Sequence, residues 1–104
     1  MIGIDIVEIN RFTNKKYSFF SKIFSDKEIL ETTKSNIHQK LAGKWAAKEA
    51  AFKAGLPYIN KEIEILTKNN KPCIYIKGKK IKACVSISHE KEYATAIVLN
   101  MKSK

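Results

Sequence analysis

The chain is predicted to fold as an α+β domain: an N-terminal strand, two short helices and a long central helix packed on a mainly antiparallel sheet. Three observations carry that expectation. A strand-like run opens the chain over residues 1–9, an alanine-rich helical stretch fills 36–54, and after Pro57 the apolar pattern changes to period two. At 104 residues the chain suits a single domain, 1–104, with a modest core that oligomerisation would help.

In the first strand Ile2, Ile4 and Ile6 occupy one face, and Gly3, Asp5 and Val7 the other. Asp5 is out of place, because aspartate is disfavoured in strands and a buried carboxylate needs a cation, donors or a proton. Glu8, Asn10 and Arg11 lead out towards polar surface. Thr13 or Asn14 is placed to cap a short helix whose apolar face includes Phe19, Phe20, Ile23 and Phe24. Ser25 with Glu28 three residues on is a capping box, opening another short helix to about Thr33.

The central helix is built from alanine and straight-chain residues, which lose least on becoming helical. Asn36 with Gln39 is a capping pair at its start, and Gly55 followed by Pro57 is a stop signal. Leu41, Trp45 and Phe52 share a face expected to enter the core. Lys48 lies on that face, where an ammonium requires a partner. Glu49 projects elsewhere, in a row with Ala46 and Lys53. Glu49 and Lys53 also have the i,i+4 order of a surface ion pair, worth only about 0.2–0.5 kcal/mol.

Beyond Pro57, Ile63 and Ile65 share one face of a strand over 62–66, and Asn69, Asn70, Lys71 and Pro72 are turn residues. A strand over 73–77 and a turn at Gly78 and Lys79 follow. Residues 80–88 alternate, with Ile81, Ala83, Val85 and Ile87 inward and Lys82, Cys84, Ser86 and Ser88 opposite. A hinge at 89–91 precedes the last strand, 92–100, and 102–104 form a frayed tail.

The formal charge of +10, from 20 Lys plus Arg against 10 Asp plus Glu, favours an anionic partner. Nucleic acid, a membrane surface, a phosphorylated small molecule and an acidic protein all qualify. Nearly all the basic residues are lysine, and Asn and Ile are also abundant, so compositional bias contributes to the charge. An apolar content of 44% excludes a disordered class. Cys73 and Cys84 have no zinc or CxxC spacing and are expected as buried free thiols. With no basic leader and no apolar run near the ~20 residues of a membrane span, a cytoplasmic location is expected.

Two carboxylates stand in otherwise apolar elements. If the first strand packs on the central helix, Asp5 and Glu49 converge on one hard cation, and magnesium suits one or two carboxylates plus phosphates and water. Lys48 and Lys53, with Lys44 one turn before Lys48, would then contact phosphate. Ser86, Ser88 and His89 end a strand and offer further phosphate donors, with His89 alternatively a base. No glycine-rich phosphate loop is present.

Gly3-Ile4-Asp5-Ile6-Val7-Glu8-Ile9, then Trp45-Ala46-Ala47-Lys48-Glu49-Ala50, then Ser86-Ile87-Ser88-His89 resemble the small bacterial holo-acyl-carrier-protein synthases. Phe24-Ser25-Asp26-Lys27-Glu28-Ile29 is similar to the family's helix-opening segment. The resemblance spans the chain and implies the fold of the short 4′-phosphopantetheinyl transferases. It implies transfer of phosphopantetheine from coenzyme A to a serine of acyl carrier protein, releasing adenosine 3′,5′-bisphosphate, for fatty acid biosynthesis. By the same resemblance Asp5 and Glu49 are magnesium ligands. Lys53 lies near the pyrophosphate and is catalytic with Glu49. Lys44, where the family usually has Arg, and His89 lie at the 3′-phosphate. Lys48, Ser88 and Pro72 complete the coenzyme-binding set, and Arg11 contacts the carrier protein. A homotrimer with sites between subunits is implied. The loop at 55–58 is short and lacks the family's glycine-rich run. The base that accepts the serine proton is left open.

Two rival classes stand beside this one. A basic nucleic-acid module would use the +10 charge, but the lysines are spread and the phenylalanines read as helix core, not a stacking platform. A noncatalytic trimeric scaffold would leave Asp5 and Glu49 without a role. The expected partners are therefore coenzyme A and an acidic carrier protein, without nucleic acid or membrane.

Overall fold

The computed structural model describes residues 1–57 and 60–101. The chain runs β1 (Ile2–Glu8), α1 (Tyr17–Ile23), α2 (Asp26–Leu30), α3 (Ile37–Lys53), β2 (Ile63–Lys68), β3 (Lys71–Ile76), β4 (Lys79–Lys80), β5 (Ala83–His89) and β6 (Tyr93–Asn100). Short 3₁₀ turns occupy Ile9–Phe12 and Asn60–Glu62. Tyr58, the last residue of the expected short loop, and the expected tail at 102–104 lie outside the described residues.

The α+β class expected from sequence is the one observed, but the strands divide between two antiparallel sheets, ordered β1-β6-β5 and β2-β3-β4. The division falls inside the run expected as a single strand over 80–88. Lys77 and Gly78 both have positive φ, 50° and 83°, which makes a tight hairpin and folds Lys79 and Lys80 back onto β3. The chain then crosses to pair with β6 as β5. Asn69 and Asn70, at φ 53° and 64°, turn the β2–β3 hairpin, so Lys71 and Pro72 already belong to β3. Pro72 is tolerated because β4 pairs only with Tyr75 and Ile76, leaving the missing N–H at an open edge.

The capping box forms as expected. Ser25 Oγ accepts from Glu28 N at 3.2 Å, and Glu28 Oε1 accepts from Ser25 N at 3.0 Å. The two other expected caps do not form. Helix α1 begins after Lys16 with no side-chain cap, while the Thr13 hydroxyl bonds back to Asn10. Asn36 is in the left-handed region, φ 52°, and its side chain caps nothing. At the far end of α3, Gly55 N donates to Phe52 O and Leu56 N to Ala51 O, both at 3.0 Å, closing the helix around the left-handed Gly55.

Helix α3 lies across the inner face of the first sheet with its small residues, not its large ones, turned inward. Ala42, Ala46, Ala47, Ala50, Ala51 and Ala54 are fully buried, facing Gly3, Ala94 and Ala96 of the sheet. This corrects the expected core face: Leu41 is buried and Trp45 partly so, but Phe52 is 59% exposed. Small residues on both sides let backbone approach backbone, and Phe52 has no room in that seam. On the outer face of the same sheet Ile2, Ile4, Ile6, Tyr93, Ile97 and Leu99 are each at least 40% exposed. Register puts Ile2 opposite Leu99 and Ile4 opposite Ile97. Cys84 is exposed and Cys73 only partly buried, so neither is the buried thiol expected.

The deepest charges are Glu28 and Lys48, both fully enclosed. Lys48 Nζ donates to Glu28 Oε1 at 2.7 Å and to the carbonyls of Ile23 and Asn60, each at 2.8 Å. The other carboxylate oxygen of Glu28 accepts from Ile65 N at 2.8 Å. The Phe24 ring lies 5.1 Å from the ammonium. Burial pushes the Glu28 carboxyl up and the Lys48 ammonium down, and each partner's charge opposes the shift. The expected phosphate contact by Lys48 is corrected by this geometry: all three of its donors are spent inside the fold.

Removing one partner of a buried, hydrogen-bonded pair strands the other, at a cost of about 3–5 kcal/mol. Lys48→Met is expected to lose that much in chemical denaturation. Adding Glu28→Gln, which removes the stranded charge, should recover part of it. A loss under about 1 kcal/mol for Lys48→Met would mean the pair does not hold these elements together.

Candidate active site

The site begins with a glycine. A Cβ at Gly3 would lie 2.0 Å from Ala50 O and 2.7 Å from Ala54 N, so only glycine allows β1 to press against the last turns of α3. Asp5, two residues on, shares the inner face. It reaches the end of the helix, where Lys53 Nζ donates to Asp5 Oδ1 at 3.0 Å and to Ile4 O at 3.1 Å. The Asp5 side chain is 17% exposed and that of Lys53 51%. Glu49, partly buried, stands one turn before Lys53 on the same row of α3. The fold thus joins Asp5 of β1 to Lys53 of α3, and helix periodicity puts Glu49 one turn back along the row that carries Lys53.

Among the described residues there is no cluster of three or more His, Cys, Asp or Glu able to hold a metal ion. A cation bound between Asp5 and the Glu49 row would have at most two carboxylates and would complete its shell with ligand oxygens and water. That donor set fits magnesium, which keeps waters and binds through one or two carboxylates with phosphates. Asp5 already holds a cationic group, the Lys53 ammonium, as its counter-ion.

A second feature is a cleft of about 510 Å³ whose walls include Lys44, Pro72, His89, Glu31, Lys40 and Gly43. Three expected coenzyme-binding residues, Lys44, Pro72 and His89, come together there from α3, β3 and β5. Gly43 keeps the floor low, since a Cβ there would meet Ile87 Cγ2 at 2.8 Å. Lys44 donates to Glu31 Oε1 at 2.7 Å and also to Ile65 O. Ser88 is exposed and sits with Ile6, Tyr93 and Thr95 in a shallow groove on the outer side of the sheet; His89 borders both features. Lys48 reaches neither the seam nor the cleft.

Sequence reasoning missed Glu31 and Gly43. The one available signal was that Glu31 follows Glu28 by three residues within the short helix expected to about Thr33, which puts both on one side. Arg11 lines a separate pocket of about 350 Å³ with Phe12, Lys15, Phe19, Ile23 and Trp45. Its walls are apolar and its two cations come from the turn after β1.

Residues 1–98 match the family model of the 4′-phosphopantetheinyl transferase superfamily. The chain belongs to this family. Within it, the chain is 42% identical to the holo-[acyl-carrier-protein] synthase of Mycoplasma capricolum, over 94% of the chain and 91% of the relative. It is 38% identical to that of Clostridium tetani, over 91% and 90%. Among solved structures, the Helicobacter pylori holo-[acyl-carrier-protein] synthase in complex with coenzyme A superposes with a TM-score of 0.78 at 31% identity, over 95% of this chain and 98% of that one. The Chronobacterium ammoniagenes ACPS–CoA complex gives 0.82 at 30% identity, over 99% and 97%. The chain is therefore an enzyme, a phosphopantetheinyl transferase of the holo-[acyl-carrier-protein] synthase type, whose glycine at position 3 sets the distance between β1 and α3.

Gly3→Ala is expected to destabilise by about 3 kcal/mol or more, the upper end for overpacking, because the obstacle is backbone. Gly78→Ala, at φ 83° in open space, should cost only about 1–2 kcal/mol of backbone strain. Equal losses at the two positions in thermal unfolding would contradict the close β1–α3 approach.

Proposed function

We propose that the chain transfers 4′-phosphopantetheine from coenzyme A to a serine hydroxyl of apo-acyl carrier protein. The reaction depends on magnesium, releases adenosine 3′,5′-bisphosphate and serves fatty acid biosynthesis in the cytoplasm. The observation that carries this reading is the Asp5–Lys53 pair at the β1–α3 seam, with Glu49 one turn before Lys53 on the same helix row. It occurs in a chain similar over nearly its whole length to synthases solved with coenzyme A.

Transfer of a phosphoryl-linked group needs positioning and charge neutralisation more than covalent help from the protein. Asp5 and Glu49 would hold magnesium, which when bound neutralises charge developing on the pyrophosphate. Lys53, half in solvent, extends positive charge from the same seam towards the phosphates. Lys44 and His89 receive the 3′-phosphate in the cleft, beside Pro72. Ser88 belongs to the coenzyme set only through its groove beside His89.

Assembly as a homotrimer, with sites between subunits, is part of the same reading. Its support is the outer sheet face, where Ile2, Ile4, Ile6, Ile97 and Leu99 form a continuous apolar surface by register. Each such side chain gains roughly 1.5–3 kcal/mol on full burial. The pocket at Arg11 suits an acidic carrier: Arg11 and Lys15 attract carboxylates, while Phe19 and Trp45 offer apolar surface beneath them.

The direct test is incubation with coenzyme A, magnesium and apo-carrier protein, read by mass spectrometry of the carrier. A phosphopantetheine mass gain that chelator abolishes is expected. Asp5→Asn and Glu49→Gln should each lower turnover about a hundredfold or more with the fold intact, and the double variant should lose little beyond either single one, since the two act as a unit. Full turnover by Glu49→Gln would sink the magnesium assignment. Arg11→Glu should raise the carrier KM well above any change in the coenzyme KM, with the difference shrinking at high salt. Parallel shifts in both KM values would put Arg11 away from the carrier.

A further inference from the structure

We propose that Glu31 is a specificity-determining residue at the phosphate end of the cleft. It sets how strongly this chain prefers a coenzyme carrying a 3′-phosphate over one that lacks it. The proposal rests on the reading of that cleft as the coenzyme site.

The geometry begins with Lys44. Its side chain is only 8% exposed, and two of its three donors are committed, one to Glu31 Oε1 at 2.7 Å and one to Ile65 O. One N–H remains for a ligand. Glu31 is fixed in place, because both of its oxygens also accept from Thr67 N, at 3.1 and 3.0 Å. The carboxylate is thus tied to β2 and cannot swing away without surrendering a backbone bond. Its side chain is 30% exposed on the cleft wall.

A phosphate approaching Lys44 therefore meets a fixed carboxylate beside the ammonium. The two charges cancel at short range, leaving Lys40 as the other lysine lining the cleft, with the His89 imidazole there as a hydrogen-bonding group. A guanidinium would have donors to spare for a phosphate after pairing with an acid, whereas this ammonium has one. Glu31 thus holds Lys44 in position and at the same time lowers the attraction for a dianion there. The result is a smaller reward for the 3′-phosphate than the lysine alone would provide.

Coenzyme A and 3′-dephospho-coenzyme A differ only in this group, so calorimetric binding of both to the full chain isolates it. Glu31→Gln keeps an acceptor for Lys44 and Thr67 but removes the charge. It is expected to tighten coenzyme A about tenfold and leave the dephospho form within about twofold, with the gain shrinking as salt rises. Lys44→Met should weaken coenzyme A and spare the dephospho form. If Lys44→Met behaves so but Glu31→Gln leaves the preference unchanged or lowers it, the role of Glu31 is overturned and the cleft reading survives. If neither variant changes the preference, both are overturned.

Discussion

The buried ion pair between Glu28 and Lys48 is the constraint on which the rest of the structure depends. It joins three stretches that are distant in sequence: the α1 end and capping box through Ile23 O and Ser25 N, α3 through Lys48 itself, and the segment leading into β2 through Asn60 O and Ile65 N. Lys44, one turn before Lys48 on α3, and Glu31, just past the end of α2, repeat the arrangement with Ile65 O and Thr67 N as their β2 partners. Helices α2 and α3 are thus laced to one strand by two parallel rungs. The inner rung is dry, and desolvation makes a missing partner costly there. The outer rung is partly wet, and it forms a wall of the cleft. A single packing solution therefore builds both the stability of this corner and the charge pattern along that wall of the cleft.

The opposite side of α3 is organised by size, not charge. Alanines on the helix face a glycine and alanines on the sheet, and backbones come close enough that a methyl at Gly3 would overlap Ala50 O. Close approach is what lets a short aspartate on β1 reach the helix end. A larger residue in that seam would widen it and separate Asp5 from Lys53. The same strand must then show its isoleucines to the outside, because side chains alternate. The exposed apolar face is a direct consequence of putting Gly3, Asp5 and Val7 inside.

Much of this architecture was legible in the chain itself. Period-two alternation marked the strands, alanine content and the Gly55 stop marked α3, and Ser25 with Glu28 marked the start of α2, because these signals are local. The odd residues were also legible: an aspartate in a strand, and one glutamate among lysines in a helix with little polar surface. What local signals misjudged were the faces of α3. Leu41, Trp45 and Phe52 share a helical row, yet the row against β1 and β6 is alanine, because Gly3, Ala94 and Ala96 let the backbones approach there.

What the sequence by itself determined was which elements form and which residues are chemically out of place in them. Backbone propensity, capping and burial period act within a few residues. Only the tertiary structure decided which lysine became structural and which stayed available. Lys48 and Lys53 are five residues apart on one helix, but Lys48 meets Glu28, from another helix, in the dry interior, while Lys53 meets Asp5 at the surface. The assignment of Glu31 to Lys44 is of the same kind. Charges choose partners across elements by distance and desolvation, and those exist only once the elements have packed.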